Sequence, residues 1–568
     1  MNMKKISFFL SLIGILSIFS VVSSAQKDPK GFDSLEKQLT QEYDEFKIES
    51  GSALERLVIE NQDFEMLRAS EASDKRGLPP WLRVWWRKNH PEEDYSAKDP
   101  TGGYPLVLKE ILEWMYTHQD LIPGPGLESD TTDSNEGLSR LLPSRVLTIG
   151  ANLRTSGLQT TPRSESDIRI DFFNPTRVMA GSNNIGGNGR QGIYYSTNTG
   201  ATWSQTNLPL TAPDTFQSDP TIDWTNDGRA YSSTLGINGG TLRLRNYYST
   251  NSGATWTLDA TPSGLQTNVD KQLVWVDHSS TSAFFGRQYA IWHNGNPAFV
   301  NRRTAGAAGT WLAAPIQVSG VESTGTAIGS DIRTNSLGEV FGFWPTTGNR
   351  RIVYTKSTNG GASWSAGQVI ATTRDSFDIG IPAFNNRRAL IYTSGSAYRS
   401  GVTNNVYVSW TDLSGNVGCT TAANEPGANA ASTCKTRVWF SRSTNGGTTW
   451  SAPVRINNQA GLNDQFNQAM AVDDVTGRVV IIYYDTVGDS TRKTTNVWMQ
   501  SSIDDGATFS AATIVTSSST NETIAGADSG NQYGDYNGLS GYNGVFFPSW
   551  TDRRSLGKEE VWTSKITF

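Results

Sequence analysis

The sequence predicts an all-β fold built from repeated small sheets, and three observations support that prediction. One eight-residue pattern recurs at a period of roughly 50 residues or twice that, which is typical of a repeat architecture. A short alternating run typical of a β-strand precedes each copy. The chain also contains 55 Gly and 18 Trp, a composition that suits turn-rich sheets with aromatic contacts between them. The copies are STNTGATW at 196–203, STNSGATW at 249–256, STNGGASW at 357–364, STNGGTTW at 443–450 and SIDDGATF at 502–509.

Each copy is predicted to form the turn of a β-hairpin. The strand-like runs GIYYS, RNYYS and IVYTK precede three of them, and the Gly at the fifth position is a turn residue. The Ser, Thr and Asn side chains of the pattern can bond the backbone of the turn itself. The closing aromatic residue can pack between neighbouring sheets, so we expect Trp203, Trp256, Trp364 and Trp450 to be largely buried.

The eight-residue pattern resembles the Asp box, or BNR repeat, of sialidase-like β-propellers, with Asn in place of the usual Asp in four of the five copies. This resemblance implies four-stranded blades arranged around a central channel. In that family the box lies on a turn away from the active-site face. The repeat therefore predicts a fold and does not by itself predict an activity.

The spacing of the boxes favours seven blades over six. The boxes at 249 and 357 are about twice as far apart as those at 196 and 249, and TAGAAGTW at 304–311 fills the place between them. A last hairpin, GVFFPSWTDRR with EEVWTSKITF, ends the chain without a box. We expect SRVLTIGAN at 144–152 to complete that sheet, because pairing the first strand with the last blade leaves no open edge.

The residues before the propeller predict export. Lys4 and Lys5 precede the apolar run ISFFLSLIGILSIFSVV and the small residues Ser23 and Ala25, a pattern typical of a cleaved signal peptide. We therefore expect a secreted, periplasmic or cell-surface protein without a membrane span. The predicted organisation is a signal peptide at 1–25, a small helical region at 26–121, a linker at 122–143 and the propeller at 144–568.

The two cysteines agree with an oxidising compartment. Cys419 and Cys434 lie in one long insertion between two paired strands. A disulfide there would close a loop of about 15 residues and contribute on the order of 3 kcal/mol in the chain-entropy model. The alternative is two unpaired thiols. The formal net charge of −6 provides no basic surface for nucleic acid, and we expect a monomer whose partner is a carbohydrate or glycoconjugate.

An acidic residue recurs near the predicted start of each innermost strand, the end of the channel at which propellers normally act. Crowded carboxylates raise one another's pKa or recruit a cation such as Ca²⁺, and Asp219, Asp270 and Asp331 are the candidate ligands. No cofactor is required. The alternative is that each Asp bonds the backbone amides of a turn. The recurring residues are Asp167, Asp219, Asp270, Asp331, Asp378, Asp464 and Asp535.

The resemblance to sialidases implies a Tyr nucleophile, an Asp acid, a Glu that activates the Tyr, and three arginines that hold the substrate carboxylate. The family's Arg-Ile-Pro motif is absent here, so these roles cannot be carried over residue by residue. Arg169 and Arg333 can equally pair with the Asp two residues before each of them. The candidate catalytic residues are Tyr536, with Tyr533 as its alternative, Asp535, Asp167, Arg169, Arg333 and Arg553.

Two classes of function follow from the sequence. The first is an exported exo-α-sialidase, or another glycoside hydrolase, that cuts a terminal acidic sugar. The second is a propeller that binds glycans or a protein partner through the channel mouth without catalysis, and fold alone does not choose between them. The four histidines fall in no ligand spacing, which argues against a His-based zinc site.

Overall fold

A computed structural model describes residues 147–554 and 557–568, and within them it contains seven four-stranded antiparallel sheets arranged as the blades of a propeller. The predicted signal peptide, helical region and linker lie outside the described residues. Blades 1 to 3 consist of β2 (Asp167–Ile170), β3 (Val178–Ser182), β4 (Gly192–Ser196) and β5 (Ser204–Asn207); β6 (Phe216–Trp224), β7 (Ala230–Asn238), β8 (Thr241–Ser249) and β9 (Thr257–Ala260); and β10 (Val269–Val276), β11 (Gln288–Asn294), β12 (Ala298–Arg303) and β13 (Ile316–Gln317).

The remaining blades follow the same plan, except that the first strand of the described chain, β1 (Thr148–Arg154), belongs to the last blade. Blades 4 to 7 consist of β14 (Asp331–Thr334), β15 (Val340–Thr346), β16 (Arg351–Ser357) and β17 (Gln368–Thr372); β20 (Thr393–Ser400), β21 (Thr403–Leu413), β22 (Thr436–Ser443) and β23 (Val454–Arg455); β24 (Gln465–Val472), β25 (Val479–Asp485), β26 (Asn496–Ser502) and β27 (Thr513–Ile514); and β28 (Gly538–Tyr542), β29 (Val545–Asp552), β30 (Glu560–Thr567) and β1.

The ring closes between the two ends of the described chain. β1 pairs antiparallel with β30, from Thr148 opposite Thr567 to Arg154 opposite Trp562. The first strand therefore completes the last sheet, as the sequence predicts. Around the channel, each innermost strand contacts the innermost strand of the next blade, and β28 contacts β2 to complete the circle. Closure of this kind protects the edges that an open array of sheets would expose.

Large aromatic side chains fill much of the space between and within the blades. Trp292, Trp344, Trp410 and Trp550 are fully buried, and each lies on the second strand of its blade. A buried Trp removes a large apolar surface from water, so each of these side chains stabilises the blade that carries it. The core consequently lies in the sheets themselves.

The repeated octapeptides form the turns between the third and fourth strands of five blades. In the first, the Ser196 hydroxyl accepts a hydrogen bond from the backbone N–H of Gly200 at 3.0 Å, and Asn198 Oδ1 accepts one from Thr202 at 3.0 Å. The corresponding bonds recur in the other four copies. The segment 304–311 occupies the same place in blade 3. The predicted hairpins are therefore confirmed.

The aromatic residue that closes each octapeptide packs against the preceding blade. The Trp450 ring lies 5.0 Å from that of Tyr354 in blade 4, and the Phe509 ring lies 5.0 Å from that of Phe440 in blade 5. The prediction that these residues would be largely buried is confirmed, although the turn lies at the outer edge of the blade and leaves a smaller part of each ring in solvent. The residues are Trp203, Trp256, Trp364 and Trp450.

Strand direction separates two faces of the propeller. Because successive strands are antiparallel, the octapeptide turns lie on the face opposite to the one where the inner strands begin. The long insertion between β21 and β22 lies on the latter face, and its cysteines form the predicted Cys419–Cys434 disulfide. Among the described residues, no helix is long and apolar enough to cross a membrane.

Blade 5 departs from the sequence-based assignment. A separate two-stranded sheet, β18 (Asp378–Ile379) and β19 (Ala389–Leu390), precedes it. The inner strand of the blade begins at Thr393, so Asp378 does not start an inner strand as predicted. Asp378 belongs instead to this additional hairpin, whose loop extends towards blade 7.

Candidate functional site

Three inner strands are irregular at the end of the channel where they begin, which we call the mouth. The pairing of β6, β10 and β24 with their second strands shifts register there. Such bulges bend a strand and redirect a side chain, and they are common beside functional sites. Each bulge contains one residue in the left-handed backbone region, Asp219 (φ 57°), Lys271 (φ 45°) or Asn467 (φ 48°). Backbone strain of this kind persists only where the surroundings enforce it, and it concentrates at functional sites.

Glu165 and Asp219, which we call the acid pair, are held together in the mouth. Glu165 lies two residues before β2 and also has a positive φ, of 57°. Asn183 donates from Nδ2 to Glu165 Oε2 and accepts at Oδ1 from the backbone N–H of Asp219 at 2.7 Å. Burial, followed by the charge of Asp219, raises the pKa of Glu165 to about 8. Glu165 therefore keeps its proton at neutral pH.

Asp270 and Lys271 lie on the bulge of β10, next to the acid pair. The Asp270 side chain is 44% exposed, and burial of the remainder together with the charge of Asp219 raises its pKa to about 6. Asp270 is consequently ionised at neutral pH. Lys271 is only 5% exposed, and desolvation lowers its pKa although Asp219 and Glu165 oppose that shift. Its Nζ lies 3.3 Å from the centroid of the Tyr536 ring.

Tyr536 lies beside these groups, whereas Tyr533 does not. The Tyr536 hydroxyl is buried and has no hydrogen-bond partner among the described residues. Burial, then the charges of Asp219 and Glu165, raises the pKa of Tyr536 well above its usual value, so the side chain is a neutral phenol. Tyr533 instead packs in an aromatic cluster, with its ring 5.2 Å from that of Phe466.

Arg387 reaches the mouth from the loop between β18 and β19. It pairs with Asp535, and its Nη2 lies 3.7 Å from Glu165 Oε1. Gln532 holds this loop in place, because its Oε1 accepts hydrogen bonds from the backbone N–H groups of Asn386 at 3.3 Å and Arg387 at 2.9 Å. The predicted catalytic residue Asp535 thus lies at the mouth as the partner of a guanidinium group.

Two of the predicted mouth carboxylates bind the neighbouring blade. Asp167 Oδ2 accepts from the backbone N–H of Ile222 at 2.8 Å, and Asp331 Oδ2 accepts from Gly395 at 2.7 Å. Asp331 also forms an ion pair with Arg333 at 2.5 Å. Both carboxylates therefore bond backbone amides, as in the alternative to a charged mouth, but the amides belong to strands of the next blade and not to a turn. These contacts connect blade 1 to blade 2 and blade 4 to blade 5.

The three arginines predicted to hold a substrate carboxylate have different surroundings. The guanidinium groups of Arg169 and Arg333 lie deeper in the channel, with their Cζ atoms 4.9 and 4.6 Å from the centroid of the Trp275 ring. Arg553 lies after β29 and has its Nε 3.6 Å from Glu559 Oε1. The structure therefore brings Tyr536 and Asp535 to the mouth without placing these arginines around a common point there.

The channel beneath the mouth is narrow. A cavity of about 50 Å³ lies between Lys271, Arg333, Tyr392 and Tyr536. A water molecule needs about 10–15 Å³ of such space, so the cavity has room for a few waters and not for a sugar ring. Any glycan at the mouth must therefore lie above this cavity, where the partly exposed Asp270 is accessible.

The predicted calcium site has no matching cluster in the structure. Within residues 147–554 and 557–568, no three His, Cys, Asp or Glu side chains are grouped so that they could hold a metal ion. Asp331 is engaged by Arg333 and by the backbone of blade 5, whereas Asp219 belongs to the acid pair. Binding of Ca²⁺ by Asp219, Asp270 and Asp331 stays a prediction.

Sequence reasoning missed four residues of the mouth. Glu165 is two positions before Asp167, and Lys271 directly follows Asp270, so both were adjacent to predicted residues. The signal in the sequence that could have found them is a second charged residue close to a predicted one at a strand start. That second charge has the same sign as its neighbour for Glu165 and the opposite sign for Lys271. Arg387 and Tyr392 come from the additional hairpin and the chain that follows it, and no motif marks them.

No protein-family model matches the chain, and no curated protein matches its sequence. Among solved structures, a protein of unknown function from Dyadobacter fermentans is 11% identical with a TM-score of 0.40, over 74% of this chain and 99% of that one. The leech intramolecular trans-sialidase is 12% identical with a TM-score of 0.40, over 67% and 72%. The α-L-arabinofuranosidase of Fusarium graminearum is 12% identical with a TM-score of 0.37, over 74% and 98%. Likeness this remote does not assign an activity.

Proposed function

We propose that the protein is an exported glycoside hydrolase that acts on glycans at the mouth of the propeller. One observation carries the proposal. Glu165, which is protonated, and Asp270, which is ionised, both lie close to Asp219. Hydrolysis of a glycosidic bond requires one carboxyl group that donates a proton and a second that is ionised. Carboxyl groups whose surroundings push their pKa values apart are the signature of such an arrangement.

The roles of the two carboxyl groups follow from their protonation. Glu165 donates its proton to the glycosidic oxygen as the bond to the anomeric carbon breaks. Asp270 takes a proton from the attacking water, whose oxygen bonds to the anomeric carbon. Lys271, buried between Tyr536 and the carboxylates, limits the accumulation of negative charge. Activity should then be bell-shaped in pH, with apparent pKa values near 6 and 8.

A sialidase with Tyr536 as nucleophile is a narrower form of this proposal. The bonds shared by the five octapeptide turns support their assignment as Asp boxes, which are typical of sialidase-like propellers. The mouth is richer in acidic than in basic side chains even when the protonated Glu165 is left out, with Asp219, Asp270 and Asp535 against Lys271 and Arg387. Since a carboxylated sugar would be repelled there, a neutral sugar is the favoured substrate.

Export is part of the same proposal. The Cys419–Cys434 disulfide is of the kind that persists in oxidising compartments. The apolar run that follows Lys4 and Lys5 has the pattern of a signal peptide. A glycan-degrading enzyme would meet its polymeric substrate outside the cytoplasm.

Glycan binding without hydrolysis is the second candidate function. The cavity of about 50 Å³ below the mouth favours it, because a space of this size cannot enclose a sugar ring. A glycan would then rest on the outer surface of the mouth and contact Asp270 and Arg387. Hydrolysis and simple binding differ in whether the carboxyl proton of Glu165 is used.

The test is a hydrolysis assay with neutral aryl glycosides, including glucosides, galactosides, fucosides and arabinofuranosides, together with an aryl α-sialoside. We expect turnover of at least one neutral substrate. Glu165→Gln should lower kcat by about 10²–10⁴-fold, since it removes the general acid and keeps the shape. The matched control is Glu322→Gln, on a loop between blades 3 and 4.

The outcomes separate the alternatives. Binding of a glycan to the mouth with no turnover of any substrate would favour the non-catalytic function. Turnover of the sialoside that Tyr536→Phe abolishes would replace the neutral substrate with an acidic one. Turnover that Glu165→Gln leaves unchanged would show that the acid pair is not the catalytic acid.

A further inference from the structure

A second cavity lies at the opposite end of the channel, where the inner strands end. Its volume is about 300 Å³, and residues of six of the seven blades line it. This volume is at the lower end of the range of small-molecule sites, about 300–1,000 Å³. No residue of the mouth lines this cavity, so it is a separate feature of the fold.

One wall of this lower cavity is aromatic. Phe172, after β2, stacks on Tyr542 of β28 with the ring centroids 4.9 Å apart and the planes inclined by 15°. Phe173 meets Phe285 edge to face at 5.7 Å. Flat aromatic surfaces of this kind pack against the apolar face of a ring-shaped ligand.

His278 also lines this cavity. Its side chain is 4% exposed, and its Nε2 lies 2.8 Å from Asp223 Oδ1. Burial alone would raise the pKa of Asp223, but the charge and hydrogen bond of His278 outweigh it and lower that pKa, so Nε2 donates to a carboxylate. Nδ1 is buried and has no hydrogen-bond partner among the described residues.

The remaining lining includes charges of both signs. Asp474, after β24, and Arg399, at the end of β20, both line the cavity. Arg399 has Nη1 3.7 Å from Glu339 Oε2, so part of its charge is already balanced. A strongly charged ligand would be repelled by one of the two groups. Hydroxyl groups suit both, because a hydroxyl donates to a carboxylate and accepts from a guanidinium.

We propose that this cavity is a second carbohydrate site, which binds one neutral sugar residue. The apolar face of the sugar ring packs on Phe172 and Tyr542, and its hydroxyl groups bond Asp474 and Arg399, close to the His278 ring. The site is on the face opposite to the mouth and has no acid pair, so it binds a sugar without cleaving it. It is independent of the hydrolysis proposed for the mouth.

The test uses the full-length protein labelled with ¹⁵N-histidine, because the chain has only four histidines and His278→Gln assigns the resonance of interest. Glucose, galactose, mannose and fucose are titrated separately, with tetramethylammonium chloride and sodium acetate as charged probes. At least one sugar should shift the Nδ1 resonance of His278 saturably, and neither charged probe should do so.

Variants show whether the lining acts as proposed. Asp474→Asn and Tyr542→Ala should each weaken the binding of that sugar by about tenfold or more, with an unchanged melting temperature as the check on folding. Glu165→Gln, at the mouth, should leave the His278 response unchanged. The proposal is overturned if no sugar shifts the His278 resonance, if tetramethylammonium or acetate does so in place of sugars, or if Asp474→Asn binds as tightly as the parent protein.

Discussion

The inner strands of blades 1 and 4 differ instructively from those of blades 2 and 3. β2 and β14 begin with the nearly identical sequences DIRI and DIRT, and both pair with their second strands without a change of register. Their carboxylates, Asp167 and Asp331, bond the backbone of the next blade. β6 and β10 begin on bulges, and their carboxylates, Asp219 and Asp270, meet other ionisable groups instead.

An aspartate at the start of an inner strand therefore serves one of two purposes, and the backbone register decides which. In a regular strand, the carboxylate reaches the amides of the neighbouring blade and contributes to stability. In a bulged strand, a residue with positive φ turns the local side chains towards the mouth, where their charges interact. Replacing the Asp of a regular strand should consequently reduce stability more than activity. Replacing the Asp of a bulged strand should reduce activity more than stability.

The largest expected effect on stability is at a regular strand. Asp331→Asn removes the counter-ion of Arg333, which is only 6% exposed, and should lower the free energy of unfolding by about 3–5 kcal/mol, as when a buried ion pair loses one partner. Urea unfolding measures the change. Asp219→Asn, in a bulged strand, should cost clearly less, and the reverse order would contradict the comparison.

An effect of intermediate size is expected at the outer rim, far from both kinds of strand. Trp450→Ala should lower the free energy of unfolding by about 2–3 kcal/mol, somewhat less than for a fully buried aromatic residue because part of the ring is exposed. Hydrolysis per folded molecule should not change. A loss of activity that exceeded the loss of folded protein would show that the rim contributes to the mouth.

Stability should also depend on pH through Glu165. The folded state holds this proton up to about pH 8, whereas the unfolded side chain releases it near 4.5. The contribution of Glu165 to stability is therefore greatest below pH 4.5 and declines as pH rises towards 8. The contribution is at most about 1.4 kcal/mol per pH unit. Urea unfolding across this range should show that Glu165→Gln removes this part of the decline. An identical pH dependence in both proteins would mean that Glu165 titrates normally.

The smallest expected effect concerns Arg387. Its positive charge opposes the rise in the pKa of Glu165, so Arg387→Gln should raise that pKa further, by up to about one unit. The alkaline limb of the activity profile should move to higher pH by the same amount, and the acid limb should also move upward, because the charge of Arg387 lowers the pKa of Asp270 as well. A downward shift of the alkaline limb would be inconsistent with the pairing of Arg387 and Glu165.

The sequence predicted the fold in more detail than it predicted the site. Turn chemistry is local, so the octapeptide at 196–203 and its four copies revealed the blades. The last hairpin, which has no octapeptide, revealed how β1 closes the ring. The acidic residues at the strand starts were recognised as a group. Which of them are structural depends on register, and a one-residue bulge at Asp219 or Lys271 leaves no clear mark in the sequence.

Long-range contacts explain the other omissions. Arg387 meets Glu165 only because the additional hairpin before blade 5 crosses towards blade 7, and no local pattern encodes that path. For Arg169 and Arg333 the sequence left open whether they hold a substrate or pair with the Asp two residues before each of them. Both lie near that Asp and against Trp275, a contact made by residues of three different blades.

The central claim is that Glu165, which lies against Asp219 on the bulge of β6, keeps its proton at neutral pH. A ¹³C NMR titration of the side-chain carboxyl groups of glutamate-labelled protein measures this directly, with Glu165→Gln used to assign the resonance. We predict that the Glu165 resonance titrates with a midpoint near 8. A midpoint near the ordinary glutamate value of 4.5 would contradict the account, because the mouth would then lack a proton donor.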